Sequence, residues 1–364
     1  MTVTARDVAR AAGVSPATVS LVFRDKPGVG EKTREHVRQV AREMGFEYSG
    51  SGTVGKTRTL QLVMYKGHGE VVSQTPFFED LTQGISEETY RQGYHRLAIS
   101  YFYSAEHASE QLAGLRSTKC AGIILLATEM MARDVAQFER LGVPIVILDS
   151  WFVNKHMDSV VIDNQRGAWE ATRYLAKLGH TDIGHVMGSA HIRNFSERQD
   201  GYRQAMWQTV GRDFDDVCGV LEVGTTTPKA REDALAWIEG LEQGRVPMTS
   251  FGREGLDHIP TALFCDNDLM AAGVMRALQE RGYRIPEDVS IVGFDDMPVC
   301  LDMNPELTTM AVPARRMGAI SVQRLVRLIN EETSEVVRVS VLPDLVKRGT
   351  VARPRTWQVK PNVR

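Results

Sequence analysis

The stretch TARDVARAAGVSPATVSLVF, residues 4–23, contains the start and stop signals of two short helices. Thr4 precedes Asp7 by three residues, which is the spacing of a capping box at a helix N-terminus. Gly13 is suited to end that helix, and Ser15 is a favourable cap for the next one. The stretch therefore predicts two helices joined by a tight turn, the arrangement called a helix-turn-helix.

A third helix is predicted from about Glu31 to Met44, because apolar residues recur there at helical spacing. Val19 and Val22 of the second helix are expected to face inward. The second helix of such a motif can enter the major groove of DNA, where its exposed side chains meet base edges. A helical packing domain is the alternative for this pattern taken alone. The basic residues expected to meet phosphates are Arg6, Lys26, Lys32 and Arg34.

Further residues of this region run in the order of a known family: Asp7-Val8-Ala9, Ala12-Gly13-Val14-Ser15, Ala17-Thr18-Val19-Ser20, Val29 and Thr33-Arg34. On these residues the region resembles the DNA-binding head of the lac-repressor family of bacterial transcription regulators. Leu21 departs from the family, which often has Arg there, so the resemblance does not imply a particular operator sequence. The residues expected to contact DNA are Thr4, Ser15, Pro16, Ala17, Thr18, Ser20, Leu21, Arg24, Thr33 and Val54.

Residues 47–59 are predicted to be a linker. Three glycines and two serines fall within residues 49–55, a composition typical of a flexible tether. Members of the family form a hinge helix here on the operator, and a Leu of that helix enters the minor groove. This chain lacks the corresponding pattern and offers only Val54, so we expect a flexible linker.

Charge is distributed unevenly along the 364 residues, although the net charge is only −3. Residues 1–58 contain ten Lys and Arg against six Asp and Glu, a balance of +4, which leaves −7 for the rest of the chain. A basic head on an acidic body suggests that a polyanion meets only the head. The length predicts two or three domains.

The composition argues against several other classes of protein. The four cysteines are widely scattered, so neither a zinc site nor a disulfide scaffold is expected, and a reducing cytoplasm suits them. The apolar runs are far shorter than the roughly 20 residues that span a bilayer, and the N-terminus lacks the apolar core of a signal peptide. We therefore expect a cytoplasmic protein with no membrane partner, no metal and no cofactor.

From Leu60 onwards, predicted strands and helices alternate, and the pattern restarts after Val160–Asn164. This rhythm predicts two α/β lobes, each a parallel sheet with helices on both faces. Two such halves resemble a periplasmic sugar-binding protein, which holds its ligand between the lobes. Motifs such as Thr75-Pro76-Phe77-Phe78, Ser290–Asp296 and Pro305–Thr309 extend the lac-repressor resemblance over essentially the whole chain.

The predicted fold class is a small all-α helix-turn-helix head followed by a two-lobed, periplasmic-binding-protein-like α/β body. The predicted boundaries are residues 1–46 for the head, 47–59 for the linker, 60–353 for the effector-binding and dimerisation body and 354–364 for a tail. Within the body, the first lobe is expected at about 60–162 and 312–340, and the second at about 163–310 and 341–353.

Effector-binding residues are expected beyond the carboxyl ends of the strands. Asp149 and Asp295 follow predicted strands, and carboxylates bind paired sugar hydroxyls strongly. Arg198 follows the loop Gly188–Glu197, and the N–H groups of its guanidinium would donate several hydrogen bonds to the same ligand. The resemblance supports this choice, because the family's effector-binding Arg and Asp fall on Arg198 and Asp295. The full expected set is Phe77, Phe78, Asp149, Trp151, Asn194, Arg198, Asn267 and Asp295.

Three interpretations remain open at this point. Asp268 either belongs with Asn267 to a polar pair of the family or caps the helix that follows it. The aromatic residues Tyr101-Phe102-Tyr103 either stack on a ligand ring or belong to the core, where strand geometry requires alternate members to lie. Lys66 and His68 either meet an anionic effector or lie in a solvated loop.

The function predicted from these features is a homodimeric transcription regulator, most simply a repressor. Its affinity for double-stranded operator DNA would change when a small, sugar-like effector binds between the lobes. The alternative is a cytoplasmic sugar-binding protein with weak or no operator binding. An enzyme using Asp295-Asp296 or Asp266-x-Asp268 is less favoured, because no nucleophile triad, phosphate loop or metal motif accompanies those residues.

Overall fold

The computed structural model describes residues 3–23, 28–46, 59–72, 75–103, 108–117, 119–211, 219–250, 254–330 and 335–355. The chain divides into two compact units, Met1–Thr57 and Arg58–Arg364. We call the first unit the head and the second the body, and each is described by itself.

The head contains three helices, α1 (Ala5–Ala11), α2 (Pro16–Phe23) and α3 (Glu31–Glu43). The predicted capping box is present, because the Thr4 hydroxyl accepts from the Asp7 backbone N–H and the Asp7 carboxylate accepts from the Thr4 N–H at 3.0 Å. The predicted helix-turn-helix is therefore confirmed. Its core is a cluster of fully buried valines: Val8, Val19, Val22 and Val37.

The described part of the body forms two six-stranded sheets. The strands, in chain order, are β1 (Thr59–Lys66), β2 (Arg96–Tyr103), β3 (Gly122–Leu126), β4 (Ile145–Leu148), β5 (Asp158–Ile162), β6 (Ile183–Gly188), β7 (Val220–Val223), β8 (Ala262–Cys265), β9 (Ser290–Asp295), β10 (Thr308–Ala311), β11 (Arg338–Val341) and β12 (Asp344–Val346). The first sheet has the order β11-β5-β4-β3-β1-β2 and is parallel throughout. The second has the order β12-β10-β9-β8-β6-β7, and its edge strand β12 is antiparallel to β10. This antiparallel edge is an exception to the predicted parallel sheets.

Helices cover both faces of the sheets. Those of the body are α4 (Phe77–Arg91), α5 (Ala108–Ser117), α6 (Ala132–Glu139), α7 (Asn164–Lys177), α8 (Arg193–Val210), α9 (Thr227–Glu242), α10 (Asp268–Glu280) and α11 (Ala314–Ile329). Strand β1 shows why two layers form, since its side chains alternate between two cores. Leu60 and Leu62 join the core that contains α4 and α11, whereas Val63 and Tyr65 join a second core with α6. The predicted two-lobed α/β architecture is confirmed.

We call the elements around the first sheet lobe 1 (59–162 and 314–341) and those around the second lobe 2 (164–311 and 344–355). In the described residues the chain passes between the lobes three times, after β5, after β10 and after β11. The carboxyl ends of both sheets therefore lie where the chain crosses. Among the described residues, no helix combines the length and the apolar character that crossing a bilayer requires.

In each lobe, glycine allows two helices to pack closely. A Cβ atom on Gly84 of α4 would lie 1.9 Å from the carbonyl oxygen of Arg315, at the start of α11. A Cβ atom on Gly201 of α8 would lie 2.1 Å from the carbonyl oxygen of Gln165, at the start of α7. Both positions therefore require glycine for the helices to approach this closely.

The sequence-based element assignment was wrong in two respects. Helix α8 begins at Arg193, so Arg198 lies in its second turn and does not follow a loop. The side chain of Ile192, the N-cap, offers no hydrogen-bond acceptor, so the usual start signal is missing. Helices α6 and α11 and strands β10, β11 and β12 were not assigned from the sequence.

Candidate functional site

Six of the predicted DNA-contacting residues lie on helix α2 or directly before it, and two more, Thr4 and Thr33, lie at the starts of α1 and α3. Thr4, Ser15, Pro16 and Ala17 are exposed, and Thr18, Ser20, Leu21 and Thr33 are half-buried. The remaining two predicted contacts, Arg24 and Val54, lie outside the described residues, as does Lys26. The hydroxyl of Ser15 accepts from the Thr18 backbone N–H at 3.0 Å and lies 2.9 Å from the Thr18 hydroxyl. Ser15 therefore caps the helix that carries the exposed face.

In the body, a buried cavity of about 20 Å³ lies between the two lobes. Seven of the eight predicted effector residues line it: Phe77, Phe78, Asp149, Asn194, Arg198, Asn267 and Asp295. Trp151 is outside this lining. Its indole N–H donates to Glu197 at 2.8 Å, and the guanidinium groups of Arg193 and Arg338 both contact its ring. The geometry thus brings residues from distant parts of the chain to one place.

Arg198 lines the cavity and is only 3% exposed. Its Nε donates to Asn164 Oδ1 at 2.9 Å, its Nη1 donates to the carbonyl oxygen of Asp266, and its Nη2 lies 3.4 Å from Asp295 Oδ1. The guanidinium carbon lies 3.8 Å from the ring centre of Phe294. A fixed fork of donors in this position can bind oxygen atoms of a polar ligand.

Asp149 joins the two lobes. It follows β4 in lobe 1 with a φ of +61°, a backbone conformation that non-glycine residues rarely adopt. Its carboxylate accepts from the Thr128 hydroxyl at 2.7 Å and from Asn194 Nδ2, in lobe 2, at 3.0 Å. Burial raises the pKa of Asp149 to about 6, although these two donors and Arg198 oppose the rise.

Asp295 faces Arg198 from the end of β9. Its φ is +104°, and that of Asp296 is +61°. Such strained backbone is concentrated at functional sites. Burial raises the pKa of Asp295 to about 8; Arg198 opposes the rise, whereas Asp268 and Asp149 add to it. Burial therefore makes the charged form of the Asp295 carboxyl group unfavourable in the folded protein.

The two interpretations of Asp268 are resolved by its hydrogen bonds. Asn267, not Asp268, caps α10, because its side-chain oxygen accepts from the Met270 N–H at 2.9 Å. The fully buried Asp268 instead accepts from the Thr309 hydroxyl at 2.6 Å and from the Met297 N–H at 2.7 Å. It thereby supports the turn that follows Asp295. Burial raises the pKa of Asp268 to about 6.

The loop after β1 is organised by a residue that the sequence analysis missed. Glu129 is buried, and its carboxylate accepts from four backbone N–H groups of residues 68–72 at 2.7–3.1 Å. Burial alone would raise the pKa of Glu129, but these four donors hold it below its ordinary value. Lys66 lies over the ring of Tyr101, and His68 lies beside Glu129; neither is among the described residues that line the cavity.

The remaining aromatic residues divide as strand geometry requires. Phe102 is buried in the core, whereas Tyr101 and Tyr103 are about half exposed.

The cavity is polar at Arg198 and the two aspartates and apolar at Phe77 and Phe78, whose ring centres are 5.2 Å apart. Within the described residues no group of three or more His, Cys, Asp and Glu side chains is arranged to hold a metal ion.

A helix-turn-helix head joined to a two-lobed body with a charged interlobe cavity defines a class of ligand-responsive, DNA-binding regulators. Residues 4–49 match the bacterial regulatory proteins of the lacI family, and residues 172–351 match the periplasmic binding protein-like domain. The chain is 32% identical over 357 residues to the HTH-type transcriptional repressor PurR of Pasteurella multocida (strain Pm70), covering 96% of this chain and 98% of that one. The chain belongs to the lacI family of bacterial transcription regulators and is not an enzyme.

Solved structures agree with this assignment. A complex of the transcriptional regulator CelR with cellobiose superposes with a TM-score of 0.69 at 26% identity, covering 96% of this chain and 100% of that one. The lac repressor dimer bound to operator and the anti-inducer ONPF superposes with a TM-score of 0.66 at 23% identity, covering 97% of this chain and 100% of that one. This second likeness is one of fold.

Proposed function

We propose that the chain is a homodimeric, cytoplasmic repressor whose affinity for operator DNA responds to a neutral sugar or sugar derivative bound between its lobes. The observation that carries this proposal is the convergence of Arg198, Asp149 and Asp295 in one interlobe cavity. Two carboxyl groups and one guanidinium can accept from and donate to several hydroxyl groups at once.

The charges around the cavity favour a neutral ligand over an anionic one. With pKa values of about 6, Asp149 in the lining and Asp268, whose charge acts on Asp295, are mostly ionised at neutral pH and outnumber the single positive charge of Arg198 even while Asp295 is protonated. Lys66 and His68, the residues considered for an anionic effector, are held by other contacts. Phe77 and Phe78 offer an apolar wall of the kind that packs on the C–H face of a sugar ring. The relative CelR was solved in complex with cellobiose.

An effector in this cavity would act on the orientation of the lobes. Asp149 belongs to lobe 1, whereas Asn194, Arg198 and Asp295 belong to lobe 2, so a ligand that touches all four prefers one interlobe geometry. In a dimer, that preference would change how the two heads fit a near-palindromic operator, each placing α2 in a major groove. The residues expected to contact DNA remain those named from the sequence, and Trp151 remains a predicted effector contact.

The test combines DNA binding with a sugar panel. Fluorescence anisotropy with a DNA fragment from upstream of the protein's own gene would be measured over a salt titration, with and without sugars that include cellobiose and ribose. We expect salt-sensitive, sequence-selective binding that one sugar changes. Arg198→Ala should abolish the sugar response and leave DNA binding intact. Arg284→Ala, which removes a surface arginine paired with Asp288, is the matched control and should behave as the wild type.

Two outcomes would contradict the proposal. Sugar binding without selectivity for any DNA fragment would favour a sugar-binding protein that does not recognise an operator. Loss of both DNA binding and the sugar response in Arg198→Ala would show that Arg198 supports the fold and is not specific to the effector.

A further inference from the structure

A buried histidine–aspartate pair lies behind Arg198 in lobe 2. His185 of β6 and the side chain of Asp266, which follows β8, are both fully buried. His185 Nε2 lies 2.8 Å from Asp266 Oδ1, although the two residues are 81 positions apart in the chain. The predicted effector contacts do not include either residue, and neither lines the cavity.

Asp266 connects this pair to the cavity. Its backbone carbonyl oxygen accepts from Arg198 Nη1, and its second carboxylate oxygen accepts from the Gly188 N–H at 3.2 Å. The pair therefore holds the end of β8 against the end of β6, and Arg198 binds the peptide group held in this way. A donor aimed at a fixed acceptor keeps its own orientation only as long as that acceptor is fixed.

The surroundings of His185 leave its ring a single hydrogen-bonding role. The ring lies between Phe264, at 5.4 Å between ring centres, and Tyr202 of α8, at 5.1 Å. Its Nδ1 has no hydrogen-bond partner among the described residues. An N–H at Nδ1 would therefore be buried and unpaired, so the tautomer with the proton on Nε2 is favoured, and Nε2 donates to Asp266.

We infer that His185 and Asp266 form a positioning pair that fixes the guanidinium of Arg198 and so sets the affinity of the interlobe site for hydroxyl-bearing ligands. The inference rests on the proposed function for its ligand, but the fixing of Arg198 can be measured without one. His185 touches neither the cavity nor a ligand in it; it acts through Asp266.

The experiment uses the full chain labelled with ¹⁵N in arginine and histidine. The His185 nitrogen shifts should show a protonated Nε2 and a bare Nδ1. The Arg198 Nε–H signal is assigned by its loss in Arg198→Ala. In His185→Leu, Asp266 loses one of its two side-chain donors, so the Arg198 Nε proton should exchange with solvent about tenfold faster than in the wild type. His185→Gln, whose side-chain amide can still donate to Asp266, should restore slow exchange.

His180→Leu is the matched control, because it removes another buried histidine of lobe 2, whose partners are Thr261 and the carbonyl of Ala352. It should leave the exchange of Arg198 unchanged. Equal Arg198 exchange in wild type and His185→Leu, or equal acceleration in His180→Leu, would overturn the inference. If the exchange difference is present but no sugar of the panel changes DNA binding, the positioning role stands and the proposed function fails.

Discussion

Replacing Asp295 by asparagine should stabilise the folded protein while it destroys the response to the effector. The carboxyl group is buried, and its pKa rises from 3.8 to about 8 because it is removed from water. Asparagine has nearly the same shape and still offers an oxygen to Arg198 Nη2, which lies 3.4 Å from Asp295 Oδ1. The variant therefore removes the charge and keeps the contact.

The size of the effect follows from the pKa. Because the pKa is higher in the folded state than in the unfolded state, the stability of the wild type falls as pH rises from 3.8 to 8. At about 1.4 kcal/mol per pKa unit, the cost of Asp295 to the folded state is about 4 kcal/mol at pH 7. The asparagine variant does not suffer this loss, so its stability advantage over the wild type should grow by about 4 kcal/mol between pH 5 and pH 8.

Urea unfolding of the full chain at several pH values measures this difference. Asp288→Asn is a useful comparison, because Arg284 lowers the pKa of Asp288 to about 2 and its replacement should destabilise the protein once pH exceeds 4. If the advantage of Asp295→Asn is the same at pH 5 and at pH 8, or has the opposite sign, the carboxyl group is solvated and the reasoning is wrong. The same variant should lose the sugar response in the anisotropy assay.

Two further substitutions test the head and the body. Ser15→Ala removes the hydroxyl that accepts from the Thr18 N–H, so the backbone amides of α2 should exchange with solvent about fivefold faster. Ser15→Asn should keep the wild-type rate, because asparagine is also a good N-cap. Equal rates in all three proteins would contradict the capping role. Gly201→Ala places a methyl group 2.1 Å from the Gln165 carbonyl oxygen and should lower the urea midpoint of the body, at a cost of about 1–3 kcal/mol or more. Gly114 also lies in a helix, but a Cβ atom there would meet no other atom within 4 Å, so Gly114→Ala should leave the urea midpoint unchanged or raise it. If Gly114→Ala lowered the midpoint as much as Gly201→Ala, close packing would not explain the effect at Gly201.

The head was predictable because its signals are local. Thr4 and Asp7 are three residues apart and form the capping box that their spacing predicts. Ser15 caps α2 through the N–H of Thr18, again three residues away. The two inward-facing valines of α2 follow from helical periodicity alone. Interactions that close within one helical turn can be read from residue types and spacing.

The site was predictable only in part. Asp149 and Asp295 were predicted because polar residues at the carboxyl ends of parallel strands meet at one edge. Arg198 was predicted from its place after a loop and from its hydrogen-bond donors, and the family resemblance supported both Arg198 and Asp295. Of the partners that hold them, Asn194 was among the predicted residues, whereas Thr128 and Asn164 were not. Glu129 binds a loop 57–61 positions away, and His185 pairs with Asp266 across 81 positions. No local pattern marks such pairs, since the fold alone brings them together.

The late position of β11 in the chain has a consequence for biosynthesis. This strand pairs with β5, yet about 175 residues separate the two, and β6 to β10 of lobe 2 are made in between. At typical translation rates a ribosome needs on the order of 10–35 s for that interval. During this interval the newly made β5 lacks its β11 partner, so the growing polypeptide presents an unpaired strand edge of buried-type side chains until β11 is synthesised.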